Sequence, residues 1–160
     1  MKKGHFITFV FVSVFIFNCK NNACGQSSPD DLIKNFFAKF EKEKPDSAID
    51  GIYATNKFNI GLKTEIKNME SKLAESIVPF GKYQGNEFIV KKSVGESFVI
   101  YSYLIKYERE PIRFLFVFYK PKNDWLLYSF SYDSKLEDEL KEASKAYRLS
   151  ENLPFIPNKQ

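Results

Sequence analysis

Four apolar, aromatic-rich segments follow one another between residues 87 and 132, separated only by short polar breaks. They span residues 87–94, 97–108, 112–120 and 125–132. Gly95, Arg109-Glu110-Pro111 and Pro121-Lys122-Asn123-Asp124 punctuate them with turn chemistry. Connections this short force neighbouring strands to run antiparallel, so the pattern predicts a four-stranded meander. Side chains alternate across a strand. The second strand therefore shows Val99, Tyr101, Tyr103, Ile105 and Tyr107 on one face and Phe98, Ile100 and Leu104 on the other. The third shows Phe114, Phe116 and Phe118 against Leu115, Val117 and Tyr119. A two-residue turn at Arg109-Glu110 would set Tyr101 opposite Phe118 and Tyr103 opposite Phe116. Such a sheet is apolar on both faces. A sheet covered by helices on one side only should be polar on the other, so the second face needs a cover: the C-terminal helix, a partner subunit or a ligand.

Helical patterns flank the strands. Ser28-Pro29-Asp30-Asp31 combines a cap, a first-turn proline and two acids at the positive helix end. Leu32, Ile33, Phe36, Phe37 and Phe40 then recur on one stripe, and Pro45 ends the helix by residue 44. Asp46 starts a short second helix carrying Ile49, Ile52 and Tyr53. A longer one over residues 62–78 puts Ile66, Met69, Leu73 and Ile77 on one face. Its charged residues, Glu70 and Lys67 among them, read as a solvated face. After the strands, Ser134 and Glu137 match a capping box, and Leu136, Leu140, Ala143 and Tyr147 form a stripe able to fold back over the sheet. The fold class predicted is α+β: N-terminal helices packed on a curved antiparallel four-stranded meander, with an additional C-terminal helix.

The N-terminus reads as an export signal spanning residues 1–25. Lys2 and Lys3 precede a twelve-residue apolar run at residues 6–17. A spanning helix needs about 20 such residues, so the run suits a signal core. Ala23-Cys24-Gly25 allows cleavage between Gly25 and Gln26, giving a periplasmic or secreted protein. The alternative is Ile16-Phe17-Asn18-Cys19, a degenerate lipobox that would make Cys19 the lipid carrier of a membrane-anchored lipoprotein. Either cut leaves no structural disulfide, since Cys19 and Cys24 are the only cysteines. Residues 26–150 then form one α+β domain and residues 151–160 an irregular tail. Removal of Lys2, Lys3 and Lys20 leaves 21 basic against 20 acidic residues, a balance that does not favour nucleic acid.

Long helix, short helix, long helix and meander, in that order, resemble the nuclear transport factor 2-like superfamily, whose fold is a cone of helices wrapped on a bent sheet. The resemblance rests on residues 30–44, on Pro79-Phe80-Gly81-Lys82-Tyr83-Gln84-Gly85 before the first strand, and on Asn123-Asp124-Trp125-Leu126-Leu127 opening the last. It is nearest to small bacterial exported domains of unknown function. The helix after Ser134 lies outside the usual core of that fold. The superfamily holds isomerases, dehydratases and non-enzymatic binding modules, and fold alone does not choose among them. Enzymes of the fold seat an acid or a tyrosine in the cone's pocket. The resemblance would set Asp46, Asp50 and Tyr53 near its mouth and Tyr101 and Tyr103 on its floor.

The chemistry is bounded by what is missing. His5, the only histidine, lies within the signal, which removes histidine bases, triads and metal ligands from the mature domain. No cofactor is expected. Carboxylate or tyrosine chemistry stays open as an isomerase or dehydratase. The favoured expectation is a non-enzymatic module that holds a small apolar ligand or a protein partner on Tyr53, Tyr101, Tyr103, Phe116 and Phe118. Arg113, also a candidate ligand contact, either snorkels to water or binds an anionic ligand. A homodimer with sheets face to face is a third possibility, and a membrane enters only through a lipid anchor. Lys91 and Lys92 suit an edge strand kept soluble by charge.

Overall fold

The computed structural model of the chain describes residues 27–42 and 45–146. The expected signal segment at residues 1–25, the expected cleavage position between Gly25 and Gln26, Cys19, Tyr147 and the expected tail at residues 151–160 lie outside the described residues.

Helix α1, Pro29–Lys42, starts where Ser28 predicts it. Ser28 Oγ accepts from the Asp31 N–H at 3.1 Å, and the Asp31 carboxylate accepts from the Ser28 N–H (3.2 Å) and hydroxyl (2.7 Å). This reciprocal cap uses Asp where Glu is usual, and it lowers the Asp31 pKa. Ile33, Phe36, Phe37 and Phe40 are buried along one stripe of α1. Helix α2, Pro45–Tyr53, buries Ala48, Ile49 and Ile52. A 3-10 turn over Lys57–Leu62 follows, capped by Asn56, whose side chain accepts from the Phe58 N–H at 3.0 Å. Helix α3, Lys63–Ile77, lies within the expected span, and a second 3-10 turn, Val78–Phe80, takes the chain through Pro79. Gly81 then adopts a φ of 83°, and a Cβ there would meet a Glu108 carboxylate oxygen at 2.6 Å. That oxygen accepts from the Lys82 N–H, so glycine is required for the turn into the sheet.

The strands are β1 (Tyr83–Val94), β2 (Phe98–Tyr107), β3 (Ile112–Tyr119) and β4 (Leu126–Asp133), and helix α4 (Leu136–Ala146) follows. They form one antiparallel sheet in the order β1-β2-β3-β4. The fold is α+β, helices first, then the meander, then a further helix. The β2–β3 register differs from the expected one by two residues. Tyr101 faces Phe116 and Tyr103 faces Phe114, because pairing stops at Ile105–Ile112. Pro111 has no N–H to give the ladder, and Tyr107 is drawn across to Tyr83 of β1, which begins four residues before the predicted start. A shift of two keeps every side chain on its face.

The two faces differ sharply. On the inner face Val99, Tyr101, Ile105, Ile112, Phe114, Phe116, Phe118, Leu127 and Phe130 are buried with α1 and α2. Phe36 of α1 meets Phe116 at 5.0 Å between ring centroids, Phe130 at 5.6 Å and Phe114 at 6.1 Å. Such pairs add about 0.5–1.5 kcal/mol each beyond area burial. On the outer face Ile100, Leu104, Leu115 and Val117 are half-buried, while Phe98, Tyr119 and Tyr128 are exposed. Helix α4 does not lie over this face with its stripe. Leu140 is 70% exposed and Ala143 is exposed. Its start is fixed by Asp133, which accepts from the Lys135 N–H at 2.9 Å.

The two edges differ as well. The β4 edge is closed by the turn after α2: Asn56 Nδ2 donates to the Leu127 carbonyl at 2.9 Å, and Thr55 Oγ1 accepts from the Leu127 N–H. The β1 edge carries Lys91 and Lys92 as expected, and register shifts near Gly85 and between Phe88 and Val90 interrupt its pairing with β2. Charges and bulges are the usual means of protecting an edge.

Candidate functional site

The residues singled out in the sequence fall into separate environments. Phe116 and Phe118 are wholly buried beneath the helices. Tyr103 sits between Phe37 and Phe88, with ring centroids at 5.1 and 5.6 Å. Tyr53 points at α3, its hydroxyl 3.9 Å from the Met69 sulfur. Tyr101 is buried at the start of α1 and donates to Asp30 Oδ2 at 2.9 Å. Lys91 lies beside both, 3.6 Å from Asp30 and 4.8 Å from the centre of the Tyr101 ring.

Arg113 neither snorkels free nor waits for a ligand. Its Nε and Nη2 donate to Asp133 at 3.2 and 2.9 Å, and Nη1 donates to Glu139. The guanidinium is thus spent on pinning the start of α4 to the outer face beside β3. Burial alone would raise the Asp133 pKa, but the hydrogen bond from Arg113 and that from the Lys135 N–H outweigh it and leave the carboxyl below its ordinary value.

One charged cluster departs from the expected solvated face. Glu70 of α3 is only 4% exposed. Lys67 bridges its Oε2 (2.7 Å) to Asp50 of α2 (2.9 Å), while Glu70 Oε1 has no partner among the described residues. Burial raises the Glu70 pKa, and the Asp50 charge adds to that against the opposing pull of Lys67. Asp50 moves the other way, lowered chiefly by its bond to Lys67. The cluster ties α2 to α3 because residue 70 turns toward α2, one position from the apolar stripe residue Met69.

These pKa directions bear on chemistry. Burial raises the pKa of Tyr53, Tyr101, Tyr103 and Tyr107 further above neutral pH, where phenols are already protonated. Asp50 is held ionised. A general base needs the reverse, a group poised near the working pH. Only Glu70 shifts in the useful direction among the carboxylates singled out. Surface depressions lie between α1 and α2 (about 450 Å³, beside Lys39 and Gly51), around Asp50 and Tyr53 (about 350 Å³), and at the start of α1 beside Asp30, Lys91, Tyr101 and Trp125 (about 350 Å³). Asp50 and Tyr53 therefore line one depression and Tyr101 another. Among the described residues no group of three or more His, Cys, Asp or Glu could hold a metal ion, and no helix is long and apolar enough to cross a membrane.

Comparison with known protein families, with characterised proteins and with solved structures finds no match to this chain.

The sequence did not flag Asn56, and it marked Asp30 only as an acid at a helix start. Asn56 closes the edge of a strand 71 residues away, and Asp30 takes the hydroxyl of a tyrosine equally distant. No local signal marks either contact. Glu70 had one: it directly follows Met69 of the apolar stripe, at the margin of the buried face.

Proposed function

We propose that this protein is an exported, non-enzymatic binding module that holds a protein partner, in preference to a small apolar molecule, against the outer face of its sheet. The nuclear transport factor 2-like cone belongs to the same proposal, since helices followed by an antiparallel meander are what that resemblance implies. The observation that carries the reading is the contrast between faces. The inner rings are packed under α1, while the outer face keeps Phe98 at 36%, Tyr119 at 43% and Tyr128 at 63% exposure around half-buried Leu104, Leu115 and Val117. Contiguous exposed apolar surface of this kind is the usual material of interaction sites. A broad sheet face suits a protein surface better than a single small molecule, which needs a concave pocket.

The test is Val117→Arg, set in the middle of the outer face. Partner cross-linking from residue 104 or 115, observed with the wild-type chain in its host envelope, should be lost while the circular dichroism spectrum is retained. Cross-linking that survives in a folded Val117→Arg protein, or a wild-type chain that cross-links to nothing, defeats the proposal. A second copy of the chain is the simplest rival occupant, and light scattering separates it. The isomerase or dehydratase alternative loses ground because Asp50 and Tyr53 line a different depression from Tyr101. Turnover lost on replacing Asp50, Tyr53, Tyr101 or Tyr103 singly would revive it.

A further inference from the structure

The molecule has two ends as well as two faces. The chain enters the described fold at one of them. Ser27 lies beside Asp124 and Trp125, and Ser28 beside Gly95 and Phe98. Three turns gather at this end: 95–97 between β1 and β2, 120–125 between β3 and β4, and 54–56 after α2. It carries exposed Phe58, Val94, Phe98, Tyr119 and Tyr128. Phe98 lies 5.6 Å from Tyr128 and 6.5 Å from Tyr119, so three of these rings form a cluster open to solvent. Lysines surround them. Lys57, Lys92 and Lys122 are exposed, and Lys120 lies over the Trp125 ring at 5.1 Å. Glu96 and Asp124 are the acids among the same turns, and α1 opens at this end with Asp30, paired with Lys91, and Asp31, held by its Ser28 cap. The opposite end is more acidic: α4 opens there with Glu137, Asp138 and Glu139, the last paired with Arg113, and the β2–β3 turn carries Glu108 and Glu110 on either side of Arg109.

We infer that the end bearing Phe98, Tyr119 and Tyr128 with Lys92, Lys120 and Lys122 docks on an anionic lipid bilayer. Tyr and Phe place apolar rings at the headgroup boundary while the tyrosine hydroxyls stay wet. Lysines beside them are drawn by anionic headgroups. Chain connectivity favours a membrane over a protein as the occupant. Cys19 is eight residues before Ser27, and the apolar run at residues 6–17 lies just before that. Eight residues span at most roughly 30 Å. Any hold of the N-terminal segment on a bilayer therefore keeps this end, and not the end where α4 opens, near the lipid. The inference shares Phe98, Tyr119 and Tyr128 with the outer-face reading but not the middle of that face, so Val117→Arg tests the outer-face reading without touching this one.

The test uses the full chain with vesicles of phosphatidylglycerol and phosphatidylcholine carrying brominated acyl chains. In a Trp125→Phe background, Tyr128→Trp and Val78→Trp place single reporters at the two ends. Quenching of the reporter at 128 should exceed that at 78 several-fold. It should fall when Lys92, Lys120 and Lys122 are changed to Glu, and in vesicles of phosphatidylcholine alone. Equal quenching at both ends overturns the inference, and shows the N-terminal segment holding the chain with no preferred orientation. Quenching at 128 that ignores charge reversal also overturns it. A hydrogen-exchange measurement on the unaltered chain guards against a reporter that disturbs folding. Residues 94–98 and 119–128 should gain protection with anionic vesicles while residues 136–146 do not. Protection of the first two segments by a soluble protein and not by vesicles assigns the surface to a protein partner instead.

Discussion

The inner and outer faces of the sheet are built from the same kinds of residue and end in opposite states. On β3, Phe114, Phe116 and Phe118 alternate with Leu115, Val117 and Tyr119. The first three are wholly buried; of the second three two are half-buried and Tyr119 is exposed. Nothing in the strand itself makes the difference. It comes from α1, which sends Phe36, Phe37 and Phe40 onto one side only. Apolar alternation tells which residues can be buried. A partner element decides which of them are.

The largest effect should come from breaking the inner face. Phe116→Ala removes a ring that touches Phe36, Phe37, Tyr103, Phe114 and Phe130. A loss of about 3–5 kcal/mol in urea unfolding is expected. If it costs no more than an outer-face change, the two faces are not energetically distinct.

Arg113→Met should cost about 1.5–3 kcal/mol, the range for hydrogen bonds to charged groups, and should free the start of α4. The pH dependence has a definite sign. The Asp133 carboxyl is lowered in the fold, so its stabilisation is present above its unfolded value of about 4 and lost as the pH falls through the lower native value. The variant should lack that part of the acid-induced loss, which urea midpoints from pH 2 to 6 would reveal.

Glu70 carries the opposite sign. Its pKa is raised, so its contribution is present below an unfolded value of about 4.3 and lost as the pH rises through the native one. Glu70→Gln should flatten the stability profile on the rising side of pH 4. A profile identical to wild type would mean that Lys67 fully compensates the buried charge.

The smallest effect should come from Tyr128→Ser on the outer face, within about 0.5 kcal/mol, as for surface changes generally. Its interest lies in that contrast, because the same change should weaken vesicle or partner binding. A large loss of stability would show that the outer ring cluster is structural after all.

Much of this architecture was legible in the chain. Ser28 with Asp31, the α1 stripe, Pro79, the turn at Pro121 to Asp124 and the alternation in β2 and β3 are all local signals, and each marks its element to within a few residues. The register of β2 on β3 was not legible. It depends on where Tyr107 goes, and Tyr107 goes to another strand. The burial of Glu70 was missed because its helix was judged by its own stripe, whereas α2 supplies a second wall. The proposed binding surface was half legible: the double-faced pattern announced an uncovered face but not which one, and it mixed Phe116 and Phe118, which are sealed, with the residues that stay open.

Local chain chemistry determined the elements, their order and their antiparallel pairing, because caps, prolines and two-residue alternation act over a few bonds. Only the assembled structure decided which apolar face is closed, which edge Asn56 caps, where Arg113 spends its hydrogen bonds, and that rings and lysines gather where the chain comes in. Those outcomes depend on groups far apart in the chain meeting in space, Asn56 and Leu127 at 71 residues among them, and contacts at that range leave no trace in the spacing of neighbours.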